Sequence, residues 1–256
     1  MIALVTGASS GIGKDISKEL AKRGYDIIAI ARNIEGLNET KNEIEKNYKV
    51  KVDVKSVDLS REDECIGLYE NVKNKYGNID ILVNNAGFGA CGDFIQTDLD
   101  KEIRMIDTNI IAVHILTKLF LKDMVEKNSG KILNVTSIAG FMPGPLMATY
   151  YSTKAYVVRL TQSIRHELFM KKSKVKICAL CPGPVDTNFN KVADVKFNLA
   201  EADSGKVAKY AVRKLMKNRT LIFPGLGIWL ARLLAKIMPE QVMAFFCYHM
   251  QKRKIQ

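Results

Sequence analysis

Cysteine and proline are scarce in this chain, at five and six among 256 residues. Five scattered cysteines exclude a disulfide scaffold, and the low proline content excludes a collagen or a proline-rich linker. There is no run of the roughly 18 uncharged apolar residues that a membrane span needs. The first apolar run, Ile2 to Val5, leads straight into a glycine motif and leaves no room for a signal peptide, so a reducing, cytoplasmic setting is expected. Acid is in short supply: 27 Asp and Glu face 39 Lys and Arg, a formal charge of +12. Apolar residues make up 47% and charged ones 26%, which excludes a disordered chain.

The basic excess is uneven. Residues 201–256 hold eleven Lys or Arg and three acids, Glu201, Asp203 and Glu240. Such a patch can attract an anionic lipid, an acidic carrier or nucleic acid. No stacking platform is interleaved with these cations, so no nucleic-acid partner is expected.

Strand and helix patterns alternate along the chain. Buried strands are expected at Ile2–Val5, Asp26–Ala31, Ile79–Val83, Lys131–Val135 and Val175–Leu180, with a more exposed one at Val50–Val57 and a short one at Leu221–Phe223. Helices are expected over residues 12–23, 34–47, 61–76, 99–127 and 150–170. Strands separated by helices pair in parallel through right-handed crossovers, which predicts an α/β doubly wound domain of about seven strands spanning residues 1–256. In the 99–127 helix, Ile103, Ile106, Ile110, Val113, Phe120 and Met124 form one apolar stripe and Ile111, Ile115 and Leu119 a second. A helix apolar on two sides is covered on both, which predicts a homodimer or homotetramer.

Chemistry first shows in Thr6-Gly7-Ala8-Ser9-Ser10-Gly11-Ile12-Gly13, placed between a strand and a helix. Glycines there let the backbone turn tightly and approach a pyrophosphate, which the following helix N-terminus attracts. An acid at the tip of the second strand would bond the ribose hydroxyls of NAD, whereas an Arg suits the 2′-phosphate of NADP. The tip reads Ile30-Ala31-Arg32-Asn33, so Arg32 points to NADP rather than NAD.

Downstream come Asn84-Asn85-Ala86-Gly87, Asp107-Thr108-Asn109-Ile110, Asn134-Val135-Thr136-Ser137, Tyr150-Tyr151-Ser152-Thr153-Lys154 and Pro182-Gly183-Pro184-Val185-Asp186-Thr187. Together with the glycine loop, in this order and spacing, they resemble the short-chain dehydrogenase/reductase family over about residues 1–190, and so imply a Rossmann-type fold. The resemblance implies that Tyr150 is the general acid/base, that Ser137 holds the substrate oxygen, that Lys154 bonds the nicotinamide ribose and that Asn109 holds a relay water. It also implies that Asn85, Ala86 and Gly87 line the adenosine ribose, that Asp58 and neighbouring Leu59 lie at the adenine, and that Pro182, Gly183, Val185 and Thr187 meet the nicotinamide.

Residue chemistry leaves one choice open. Tyr150 and Tyr151 stand four and three residues before Lys154, and both spacings share a helix face. A phenol has a pKa of about 10, and a nearby ammonium lowers it. The family spacing, not the chemistry, selects Tyr150.

Cys178 and Cys181 sit three apart on a strand and so face opposite sides, which argues against a metal. Cys65, Cys91 and Cys247 read as small buried hydrophobes. The histidines, 114, 166 and 249, have no partner at a telling spacing. The loops at 88–97, 138–149 and 188–202 should choose the substrate. The apolar, basic extension at 225–254 can cover the substrate pocket, pack on another subunit or lie on an anionic membrane surface; cover and subunit packing are favoured. The expected activity is reversible reduction of a ketone or aldehyde to a secondary alcohol with NADPH, on a hydrophobic substrate. A 3-oxoacyl thioester reductase, with an acidic carrier meeting the basic tail, is the alternative. A non-catalytic NADP-sensing module is a third reading, one that has no need of Ser137, Tyr150 and Lys154.

Overall fold

Short apolar runs alternate with amphipathic segments, and each run becomes one strand of a shared parallel sheet. The computed structural model describes residues 1–187, 189 and 201–255; the 188–202 segment lies mostly outside them. The strands are β1 (Ile2–Thr6), β2 (Asp26–Ala31), β3 (Val52–Ser56), β4 (Ile81–Asn84), β5 (Lys131–Val135), β6 (Lys176–Leu180) and β7 (Leu221–Ile222), in the order β3-β2-β1-β4-β5-β6-β7. Every pair is parallel, with Val5 beside both Ala29 and Val83 at the centre.

Strand residues alternate between two cores. Ala3, Val5, Ile27 and Ala29 face one cluster, closed by Ile16 and Leu20 of α1 (Gly11–Ala21), Leu37 and Ile44 of α2 (Ile34–Asn47), and Val212 and Leu215 of α7 (Ser204–Met216). Leu4, Ile28, Leu82 and Ile132 face the other, closed by Leu68 and Val72 of α3 (Glu62–Tyr76), Leu116 and Phe120 of α5 (Ala112–Glu126), and Leu168 of α6 (Ala148–Met170). Burying each such Val, Leu, Ile or Phe side chain contributes about 1.5–3 kcal/mol, so the two layers hold the sheet from both sides. At the edge, β3 buries only Val52 and leaves Asp53 to Lys55 half-buried, which is why its sequence alternates.

One expectation is corrected. The 99–127 helix is not regular: α4 (Leu99–Ile106) runs into a wide π turn, Asp107–Ile111, and then into α5. The wider turn shifts the spacing that a 3.6-residue period assumes. The buried stripe therefore passes through Met105, Asn109, Ala112, Val113, Leu116, Phe120 and Met124, while Ile103 is 48% exposed. Ile106, Ile110, Ile111, Ile115 and Leu119 are half-buried.

The strand order reverses between β1 and β4, which opens a crevice at the carboxyl ends of the strands, where such sheets bind ligands. The extension continues as α8 (Leu226–Ile237) and α9 (Glu240–Ile255) across the β5–β7 side of that crevice.

Candidate active site

At the end of β1 the glycine loop is held open by its own geometry. Gly7 and Gly11 have φ of 65° and 53°, the left-handed region that disfavours a side chain. A Cβ on Gly13 would stand 2.2 Å from the Gly7 carbonyl oxygen and 2.4 Å from Asn85 Nδ2. Asn85 donates from Nδ2 to the Thr6 and Gly7 carbonyls at 2.9 and 3.2 Å. Thr6 Oγ1 accepts from the Asn85 and Ala86 amides. Thr6, Gly13 and the Asn85 amide thus brace the loop, and Gly7, Ser9, Ser10, Gly11 and Ile12 border the cavity.

Among the described residues, no side chain caps the N-terminus of α1. Ser10 makes no side-chain cap and the first turn holds no acid, whereas α2, α4 and α7 are capped by Asn33, Asp98 and Asp203. The open amides and their partial positive charge suit a phosphate.

The cavity has a volume of about 980 Å³ and runs from this loop to the C-terminal helices. Arg32, exposed at the tip of β2, lines its outer end with Asp58 and Leu59. Burial alone would push the Asp58 carboxyl up, but hydrogen bonds from the Ser60 amide and hydroxyl, with the charges of Arg32 and Arg104, hold it below its ordinary value. Ala86, Gly87, Pro182, Gly183, Val185 and Thr187 form the middle walls.

Ser137, Tyr150 and Lys154 meet at the inner end. Ser137 ends the β5 segment and caps a 3₁₀ turn over Ile138–Phe141, accepting from the Ala139 amide at 3.1 Å. Tyr150 and Lys154 stand one turn apart at the start of α6, both nearly buried, at 9% and 6% exposed. Burial pushes the Tyr150 phenol up to about 12, and a hydrogen bond with Ser137 works against that rise. Burial pushes the Lys154 ammonium down to about 8. Its Nζ donates to the Val135 carbonyl at 3.2 Å and lies 5.7 Å from the Tyr150 ring centroid. In the protein by itself, then, burial outweighs the Ser137 hydrogen bond, and the phenol stays protonated at neutral pH.

Tyr151 also lines the cavity, but its hydroxyl is taken by α9, accepting from Gln251 Nε2. Asn109 sits in the π turn, 1% exposed, and does not border the cavity. Its Oδ1 accepts from the Phe88 amide at 3.1 Å, and its Nδ2 donates to the Phe88 carbonyl at 2.9 Å and to Thr153 Oγ1 at 3.1 Å. It therefore fixes the strand end against α6. Sequence reasoning missed Thr153, which donates to the Tyr150 carbonyl at 2.7 Å, and Phe189, whose ring centroid is 5.2 Å from that of Tyr150. Their one signal, an apolar or hydroxyl residue beside a motif, is too common to read. Met142, Met147, Met243 and Phe246 complete an apolar end.

The remaining candidates fall outside the cavity or beside it. Cys178 packs in the first core cluster and Cys181 in another with Val158 and Ala179. Cys65 and Cys247 are buried, whereas Cys91 is only half-buried. All three histidines are on exposed helix surface, His114 with its Nδ1 2.8 Å from the Tyr156 hydroxyl.

The short chain dehydrogenase family model matches residues 1–196. The chain belongs to that family. This short-chain dehydrogenase is an oxidoreductase, and the match takes in the glycine loop, Ser137, Tyr150 and Lys154. It is 34% identical over 215 residues to an uncharacterized oxidoreductase of Staphylococcus saprophyticus, covering 83% of this chain and 91% of that one. It is 36% identical over 196 residues to a very-long-chain 3-oxoacyl-CoA reductase of Bos taurus, covering 74% of this chain and 61% of that longer one. Among solved structures, a short-chain dehydrogenase from Sphingobium yanoikuyae in complex with NADPH superposes with a TM-score of 0.84 at 27% identity, covering 92% and 93% of the two chains.

Proposed function

We propose that this short-chain dehydrogenase interconverts an apolar ketone or aldehyde and the matching secondary alcohol, with NADP(H) as coenzyme and Tyr150 moving the proton. The observation that carries the reading is a single cavity with an open helix N-terminus at one end and Ser137, Tyr150 and Lys154 at the other. The residues present fit a dinucleotide: a Cβ at Gly7, Gly13 or Gly87 would meet an atom within 3 Å. The α1 amides would hold the pyrophosphate, Arg32 the 2′-phosphate and Lys154 the nicotinamide ribose. A bound nicotinamide supplies or accepts the hydride.

The chain's own residues do the rest. The Ser137 hydroxyl and the Tyr150 phenol together grip the carbonyl oxygen and fix its carbon. Tyr150, a protonated phenol at neutral pH, gives its proton as negative charge grows on that oxygen. Ser137 and the Lys154 ammonium then stabilise the phenolate, and the alcohol direction reverses each transfer. Phe189, Met147, Met142 and Phe246 exclude water and favour an apolar substrate. Half-buried Ile111 of the π turn and Leu119 of α5 support a homo-oligomer through this helical segment. A 3-oxoacyl thioester is the second substrate reading, favoured by the likeness to the 3-oxoacyl-CoA reductase and by the basic tail.

The test is loss of NADPH absorbance over a panel of apolar ketones and acyl thioesters. Tyr150→Phe is expected to lower turnover by about two to four orders of magnitude, while NADPH binding by fluorescence titration stays intact. Unchanged turnover, or an equal loss in Tyr151→Phe alone, overturns the assignment.

A further inference from the structure

The cavity is closed on one side by two helices whose outer faces are apolar and uncovered. α8 buries none of its residues. Leu226, Leu230, Leu234 and Ile237 recur at helical spacing and with Trp229 share its outward face, 43–79% exposed. On α9, Met243, Cys247 and Gln251 turn inward, and Val242, Phe245 and Phe246 are 42–60% exposed. Contiguous exposed apolar surface of this kind marks an interaction site. Both helices lie beyond residue 196, where the family match ends.

We propose that α8 and α9 lay the protein on an anionic lipid surface, with the cavity's apolar end turned toward the bilayer. Charge argues for lipid. Residues 226–255 carry Arg232, Lys236, Lys252, Arg253 and Lys254 against a single acid, Glu240. Lys236 and Lys252 are exposed beside the apolar face. Lysine is depleted in protein interfaces, whereas lysine flanking an apolar helix face is the pattern that binds acidic membranes. The cavity argues the same way. Leu234, Phe246 and Met250 are exposed at 56%, 55% and 40%, yet also line the cavity. A protein seated on that face would cover the cavity end that these side chains share with solvent, whereas acyl chains would leave an apolar path into it. No helix among the described residues is long and apolar enough to cross a membrane, so the helices lie in the interface plane.

The full chain provides its own reporter, because Trp229 is the single tryptophan. Mixed with vesicles of equimolar phosphatidylglycerol and phosphatidylcholine, the protein is expected to sediment with them. Trp229 emission should shift to the blue, and added salt should reverse both. Lys236→Gln should weaken partitioning by about fivefold. Leu230→Asp with Phe245→Asp should abolish it while reduction of a water-soluble ketone continues. Binding is read separately from catalysis, so failure of one reading leaves the other standing. The proposal is overturned if the protein stays in the supernatant with unshifted emission, or binds phosphatidylcholine vesicles equally well. It is also overturned if light scattering shows a dimer that buries Trp229 and excludes vesicles.

Discussion

The carboxyl end of the sheet and the two C-terminal helices treat polarity in opposite ways. Around the strand ends, Asn84, Asn109, Asn134 and Lys154 are buried, each 6% exposed or less, and hydrogen bonds hold each in place. Asn84 even leaves its buried Oδ1 without a partner. In α8 and α9, Leu226, Ile237 and Phe245 stand 60% exposed or more. Hydrogen bonds offset most of the cost of burying the first set, whereas contiguous bare apolar faces like the second are rare on an isolated chain. Of the first set only Lys154 borders the cavity, where a dinucleotide and a carbonyl would complete its surroundings, and an external surface would complete the second. The buried amine and the bare apolar faces thus lie where something else is expected to bind.

Glycine substitutions break the comparison most sharply. Gly13 and Gly227 both lie in the first turn of a helix, yet a Cβ on Gly13 collides with backbone and one on Gly227 meets nothing within 4 Å. Gly13→Ala should cost about 3 kcal/mol or more and eliminate NADPH binding, whereas Gly227→Ala should be neutral or stabilise by up to about 1 kcal/mol. Denaturant melts with coenzyme titration measure both. Comparable destabilisation at the two sites would erase the distinction.

A smaller effect follows from the buried amine. Burial pushes the Lys154 ammonium down to about 8, from its ordinary 10.5 in the unfolded chain. Between these values the unfolded chain binds more protons, so this group makes stability rise with pH. Below pH 8 the folded state carries the full cost of a buried charge. Lys154→Met should therefore melt higher than the native chain at neutral pH, by up to about 3 kcal/mol, and lose activity. The advantage should shrink from pH 8 and vanish by about pH 10.5. Measuring the difference between the two proteins cancels Tyr150, whose raised pKa makes stability fall above pH 10 in both. A constant gap across that range would show that the amine is not the strained group.

The smallest effect concerns coenzyme choice. Arg32→Asp should weaken NADPH at least tenfold, about 1.4 kcal/mol, and leave NADH within a few-fold, by fluorescence titration. Equal losses would remove Arg32 from the phosphate site.

Much of the scaffold is legible in the residues. β2, α2 and β5 begin and end where the apolar runs and the Asn33 cap place them, because local pattern and burial agree there. The wide turn at Asp107–Ile111 leaves no such mark, since its Asp-Thr-Asn-Ile-Ile is compatible with ordinary helix. The bracing role of Asn85 was equally hidden: besides lining the cavity, its amide donates to two carbonyls of the glycine loop, 79 and 78 residues earlier in the chain.

By itself the sequence determined the parallel sheet, the glycine loop and a phenol and an amine one turn apart, because each is written in local spacing. Only the tertiary structure decided which tyrosine faces Ser137 and how far burial moves the phenol and the amine from their ordinary acidities. It alone also showed that the tail both walls the cavity and bares an apolar face. These depend on side chains from distant segments, Gln251 against Tyr151 above all, and no local pattern encodes what a residue meets a hundred positions away.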